Sequence, residues 1–344
     1  MKNWVVEKIP ELSGYTVEWA EPGKFYLSSR NELFYSPTLK PPFERIATID
    51  APFWKRIASN FRIAQRLLRF MVTNIIPLRN GDLFVTFDKS VGVVNNGRFQ
   101  VLKGLVRPCR VLRSACAIDA EGNIFFGEYL ANKERGEIRI YKYTPGNDAL
   151  EIVYVFPPKS IRHIHGLYFD PYTNSIFCLT GDAEEECKIL RSFDGFKTME
   201  VIGQGDETWR AVSILFDENY FYYGTDAEFL TNRIFKVDRR TFERKTLGEV
   251  NGTVFYSKKL GGNLFFGTTA ENAPSQTENV ATLWLIGEDE KCRKIASFKK
   301  DFYPQTLFMF GIIHFPFVND LQNELYFYLV GVEEDDQTFK VKFI

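Results

Sequence analysis

The 344-residue sequence predicts an all-β fold, a seven-bladed β-propeller with a short helical insertion after the first blade. Three observations predict it. One aromatic strand motif recurs seven times at spacings of roughly 40 to 60 residues, close to the period of a propeller blade. Aromatic residues are abundant, with 33 Phe, 16 Tyr and 5 Trp, and such side chains suit the half-buried faces between packed sheets. The helices that a parallel α/β sheet needs between its strands are missing from the pattern. Six or eight blades are the neighbouring solutions, and in each the whole chain, 1–344, is one domain.

The copies are GKFYLSS from Gly23, GDLFVTFD from Gly81, GNIFFGEY from Gly122, NSIFCLTGD from Asn174, NYFYYGTD from Asn219, GNLFFGTTAE from Gly262 and NELYFYLVG from Asn323. Most open on a turn residue, and several end on small or acidic residues. A strand precedes the copy, as HIHGLYFD and RAVSILFD do, and third and fourth strands such as CKILRSFD and TMEVIG follow. After the last copy only TFKVKFI remains, so that blade lacks its outer strand. NWVVEKI at the N-terminus can supply it, which closes the ring and removes an open sheet edge.

The stretch 51–72, APFWKRIASNFRIAQRLLRFMV, breaks the strand rhythm. At helical spacing Trp54, Ile57, Phe61, Ala64 and Leu68 share one face, while Lys55, Arg62, Arg66 and Arg69 gather on the other. The segment carries five positive charges and no acid. It reads as an amphipathic helix packed on the rim with its basic face solvated, or as a docking element for a membrane surface or a protein partner.

Bulk properties narrow the function. A net charge of −1 gives no global field for nucleic acid, and none is expected as a partner. The five cysteines lack metal-site spacing and read as reduced thiols, with Cys178 and Cys187 the pair nearest to a disulfide because they flank a hairpin turn. With no secretory leader and no run of about 18 apolar residues, the expected location is cytoplasmic. Phosphate-loop, zinc-finger and nucleophile-elbow patterns are absent.

In a propeller the first strand of each blade lines a central channel, and ligand sites form where the loops converge. Two of the three histidines, His163 and His165, are one residue apart on such a strand, directly after Arg162. Three readings stand. The rings are hydrogen-bonded channel residues; or they carry acid–base chemistry beside a carboxylate-binding arginine; or, with His314 from a distant blade, they hold a divalent transition metal. The favoured function is a lyase or hydrolase acting on an acidic, uronate-type saccharide. His163, His165, Glu128 and Asp182 would be catalytic. Arg113, Arg162 and Arg210 would hold the carboxylate, with Tyr129, Trp209, Asp226 and Glu271 as further substrate contacts. The alternative is a non-enzymatic scaffold docked through 51–72.

Two resemblances add to this. Ser192-Phe193-Asp194-Gly195-Phe196-Lys197-Thr198-Met199 resembles the Asp-box turn of sialidase-like propellers, with Phe196 and Met199 in place of the usual Gly and Trp. That implies a propeller and speaks to fold more than to activity. The His163-x-His165 pair and a distant histidine also resemble oligogalacturonate lyase, a seven-bladed propeller, which implies a metal held by histidines and a glutamine. Ser160 stands where that glutamine is expected.

Overall fold

Each aromatic repeat forms the second strand of a blade, for example Leu83–Phe87, Ser175–Gly181 and Asn263–Thr268 in the computed structural model, which describes residues 4–343. Seven antiparallel sheets result, and the seven-bladed reading holds. Blade four is representative. Its strands His163–Asp170, Ser175–Gly181, Lys188–Ser192 and Glu200–Gln204 pair in chain order, from channel to rim. The second strand is buried along its whole length because a sheet neighbour lies on each side and another blade on each face. Phe177 and Leu179 of blade four and Phe221 and Tyr223 of blade five, all buried, form one interblade core.

The glycine that recurs in the repeat has a packing role. A β-carbon on Gly127 would lie 2.6 Å from the Ile164 side chain, and one on Gly224 would lie 2.5 Å from Val254. In each case the crowding atom belongs to the next blade, so the missing side chain lets the blades close together.

The N-terminal strand Trp4–Lys8 pairs antiparallel with Thr338–Phe343, placing Trp4 opposite Phe343. A short parallel pairing of Val318–Asn319 with Trp19–Ala20 also ties the seventh blade to the first. The Ser192–Met199 segment is a turn between third and fourth strands. The Ser192 hydroxyl accepts the Phe196 amide at 2.8 Å, the Asp194 carboxylate accepts the Thr198 amide and hydroxyl at 2.9 and 2.7 Å, and Phe196 is buried.

Blades one, two, four, five and six all shift register near the start of the inner strand, at Val17/Trp19, Val72/Asn74, Ile164/Gly166, Ala211/Ile214 and Val254/Tyr256. A bulge there bends the strand and re-aims the extra residue. In blade four that residue is His165.

The 51–72 insertion differs from its expected form in two ways. It is two short helices, α1 (Phe53–Ala58) and α2 (Arg62–Leu68), broken at residues 59–61. Its orientation is also reversed. Arg66 is 2% exposed and paired with Asp301, Arg62 bonds Asp335 at 2.7 Å, and Lys55 bonds Asp88 at 2.9 Å. Trp54 and Phe61 face solvent at 58% and 69% exposure. Carboxylates on the propeller captured the cationic side, which forced the apolar side outward. A third helix, α3 (Gln305–Phe308), precedes blade seven and packs against α2. No helix among the described residues is long and apolar enough to cross a membrane. The five cysteines are free, and the Cys187 thiol donates to the Ala183 carbonyl at 3.2 Å.

Candidate functional site

Asp182 organises the channel mouth. It follows the second strand of blade four with φ at +112°, a conformation that a non-glycine residue keeps only when its surroundings hold it. Arg162 donates to its Oδ2 at 2.7 Å, and the Arg210 guanidinium lies 3.3 Å from its Oδ1. Gly181 makes this packing possible, since a β-carbon there would sit 2.8 Å from both Arg210 and His165.

Both histidines present the same nitrogen to Asp182. His163 Nδ1 lies 2.9 Å from the Leu130 carbonyl, and His165 Nδ1 lies 2.9 Å from the Ala211 carbonyl. A carbonyl only accepts, so each Nδ1 carries a proton and each ring turns its Nε2 toward the carboxylate. The Nε2 atoms are 3.5 Å from Asp182 Oδ2 and Oδ1 respectively, the outer limit of hydrogen bonding. Burial, reinforced by His165, pushes the His163 pKa down to about 4, so that ring is neutral at ordinary pH. Burial alone would raise Asp182. The contact with His165 and the Arg210 guanidinium more than reverse that, and hold it well below the usual carboxylate range.

Further acids surround this centre. Asp226 accepts from Arg210 Nε at 3.0 Å, yet burial pushes its pKa up, with Asp182 acting in the same direction. Burial, with Asp226 adding to it, pushes Glu271 up to about 7. Glu207 accepts the backbone amides of Glu228, Phe229 and Leu230 and lies 3.8 Å from Arg210. The carboxyl groups of Asp182, Asp226 and Glu207 thus stand around the guanidinium groups of Arg162 and Arg210. The Tyr129 ring lies over His163 with centroids 4.3 Å apart and separates it from a cavity of about 110 Å³ in the channel. Arg69 and Arg110 line one part of that cavity, and Phe255, Met309 and Phe310 another.

The donor set suits a cation. His163, His165 and Asp182 place their ligand atoms within 4.8 Å of one another, two imidazoles and one carboxylate. The Nδ1 bonds to backbone carbonyls are the supports that metal-binding histidines usually carry. A divalent ion at about 2.1 Å from each atom would draw the set closer.

Of the residues expected from sequence, Tyr129, Arg162, His163, His165, Asp182, Arg210, Asp226 and Glu271 gather around this centre, and four do not serve as expected. Glu128 is fully buried and committed to structure. It accepts from Arg107 at 2.6 Å, the Tyr141 hydroxyl at 3.0 Å and the Arg139 amide at 3.1 Å. Arg113 is buried against Glu18 and donates to the Val72 carbonyl at 2.9 Å, so it has no free face for a substrate carboxylate. Trp209 packs its ring under the Arg244 guanidinium at 3.8 Å and against Gly203, toward the outer strands. His314 packs on Tyr256 at 5.0 Å and stands outside the cluster, so the three-histidine set is replaced by two histidines and Asp182. Glu207 escaped sequence reasoning. Its only signal is the preceding Asp206, whose side chain caps the short turn by accepting the Thr208 amide.

No protein-family model matches the chain, and no curated protein matches it. Solved structures with similar folds include the extracellular domain of a proposed one-component system from B. thetaiotaomicron, at 14% identity and a TM-score of 0.61, covering 99% of this chain and 40% of that one. A chain of the mitotic checkpoint complex is similar at 9% identity and a TM-score of 0.58, over 99% and 93% of the two chains. One from a study of two prolyl endopeptidases is similar at 10% identity and 0.55, over 93% and 46%. This chain therefore spans well under half of the first of these. The likeness establishes the propeller fold and nothing about activity.

Proposed function

We propose that the channel mouth is a divalent-metal-assisted catalytic site for an acidic, uronate-type saccharide, with eliminative lyase chemistry favoured over hydrolysis. The observation that carries this reading is the convergence of two imidazole Nε2 atoms on the Asp182 carboxylate, with the three ligand atoms within 4.8 Å of one another. His163, His165 and Asp182 would hold the ion. When bound, it supplies Lewis-acid neutralisation of a carboxylate.

The other residues have separable tasks. Arg162, a third exposed, is open to the second oxygen of a sugar carboxylate. Glu271, pushed up to about 7 by burial, would take the proton beside that carboxylate and then give it to the departing glycosidic oxygen, so that the C–O bond breaks as the C–C double bond forms. His163 is too weak a base for this at neutral pH. Tyr129 covers the ring of His163 and limits water. Hydrolysis needs two carboxyl groups free to act as acid and base. Glu128 is consumed by Arg107 and Tyr141, and Asp182 is held by two arginines, so that pair is not free.

The test is incubation of the metal-supplemented protein with uronate-containing oligosaccharides, followed by ultraviolet absorbance of unsaturated products. The reading expects product formation that Asp182→Asn and Glu271→Gln abolish. Folded, metal-loaded protein that yields no unsaturated product from any uronate class contradicts it.

A further inference from the structure

The reversed insertion leaves an apolar collar on one face of the ring. Phe53, Trp54 and Ile57 of α1, then Phe61, Ile63 and Leu67, are all exposed. Phe302 and Leu307 beside and within α3 extend the patch at 85% and 55% exposure, and Ile63 and Phe302 line a common groove. Large apolar side chains exposed singly are ordinary, but this many in adjoining short helices mark a surface that something covers.

We propose that this collar seats the protein on an anionic membrane surface, lying in the interface without crossing it. Charge selects this occupant. The segment 51–72 has five cations and no acid. The propeller's own carboxylates neutralise Lys55, Arg62 and Arg66. Arg56 is exposed beside Trp54 and Ile57 and has no acidic partner within salt-bridge distance among the described residues, whereas Arg69 turns toward the channel cavity. A free guanidinium group beside an aromatic and aliphatic face matches the headgroup and acyl layers of an anionic leaflet. Trp54 and three exposed phenylalanines supply the bulky rings that favour the boundary layer.

The collar also adjoins the channel mouth. Arg69, directly after α2, and Met309 and Phe310, directly after α3, line the channel cavity. Docking would therefore turn that opening toward the lipid. This inference stands independently of the chemistry proposed for the site.

The test is co-sedimentation with vesicles of phosphatidylcholine alone and with 30% phosphatidylglycerol, using wild type and the double variant Trp54→Ser/Phe61→Ser. Both side chains are largely exposed, so the variant should keep the wild-type melting curve. A second variant, Arg56→Glu, probes charge alone. The expected result is binding to anionic vesicles about tenfold or more above zwitterionic ones, reduced about tenfold by the double variant and weakened by Arg56→Glu and by salt. Absence of binding to anionic vesicles overturns the proposal. So does binding that the double variant leaves unchanged. A concentration-dependent dimer that the double variant abolishes, without lipid binding, assigns the collar to a second copy and overturns it equally.

Discussion

Asp182 and Glu271 show how the surroundings push two carboxyl groups in opposite directions. Asp182 is held ionised by its cationic neighbours, whereas Glu271 is pushed up to about 7 by burial and by Asp226. A carboxyl whose folded pKa is raised binds more protons folded than unfolded between about 4.5 and 7. Its contribution therefore favours folding at low pH and is lost as pH rises through 7. Glu271→Gln removes that slope. Urea melts should show the variant gaining on wild type by up to about 3 kcal/mol between pH 4 and pH 8. Glu128 gives the opposite lesson. Removing it leaves the buried Tyr141 hydroxyl and the Arg139 amide without their acceptor and the half-buried Arg107 without its carboxylate, so Glu128→Ala should cost about 1–3 kcal/mol in the same assay. The H-x-H pair and the Gly181–Asp182 step were legible as residue types. Their partners were not, because Arg210, Glu207 and Ala211 reach them from the next blade, and no spacing within one repeat encodes a contact across two.

At the scale of elements, the repeat motif was legible down to its glycine, because its period and its turn residues are local properties. The bulges that re-aim His165 and its counterparts leave no such mark. The insertion was legible as helical and amphipathic but not in orientation, since hydrophobic periodicity assumes that the apolar face is the packed one. Asp301 and Asp335, far along the chain, decided otherwise. Arg66→Ala should accordingly leave Asp301 with Lys300 as its remaining cation and cost about 1–3 kcal/mol, read as a fall in melting temperature. Gly181→Ala should fold but displace His165 and Arg210, with metal affinity falling about tenfold by calorimetric titration.

For the whole molecule, the ring closes on non-covalent pairing between the two ends of the chain. The sequence could reveal this because the last blade was one strand short and the first segment was one strand in excess. Deleting Trp4–Lys8 should expose the edge of Thr338–Phe343 and yield self-associating protein, visible as a concentration-dependent mass. Closure also brings blades four, five and six into the fixed geometry that converges on Asp182. The central claim is that this geometry holds a cation. Its most direct test is elemental analysis of protein purified without chelator, alongside Asp182→Asn. The account predicts one equivalent of a divalent transition metal in wild type and its loss in the variant. Metal-free wild type that also shows no heat on titration with zinc, manganese or nickel would contradict it.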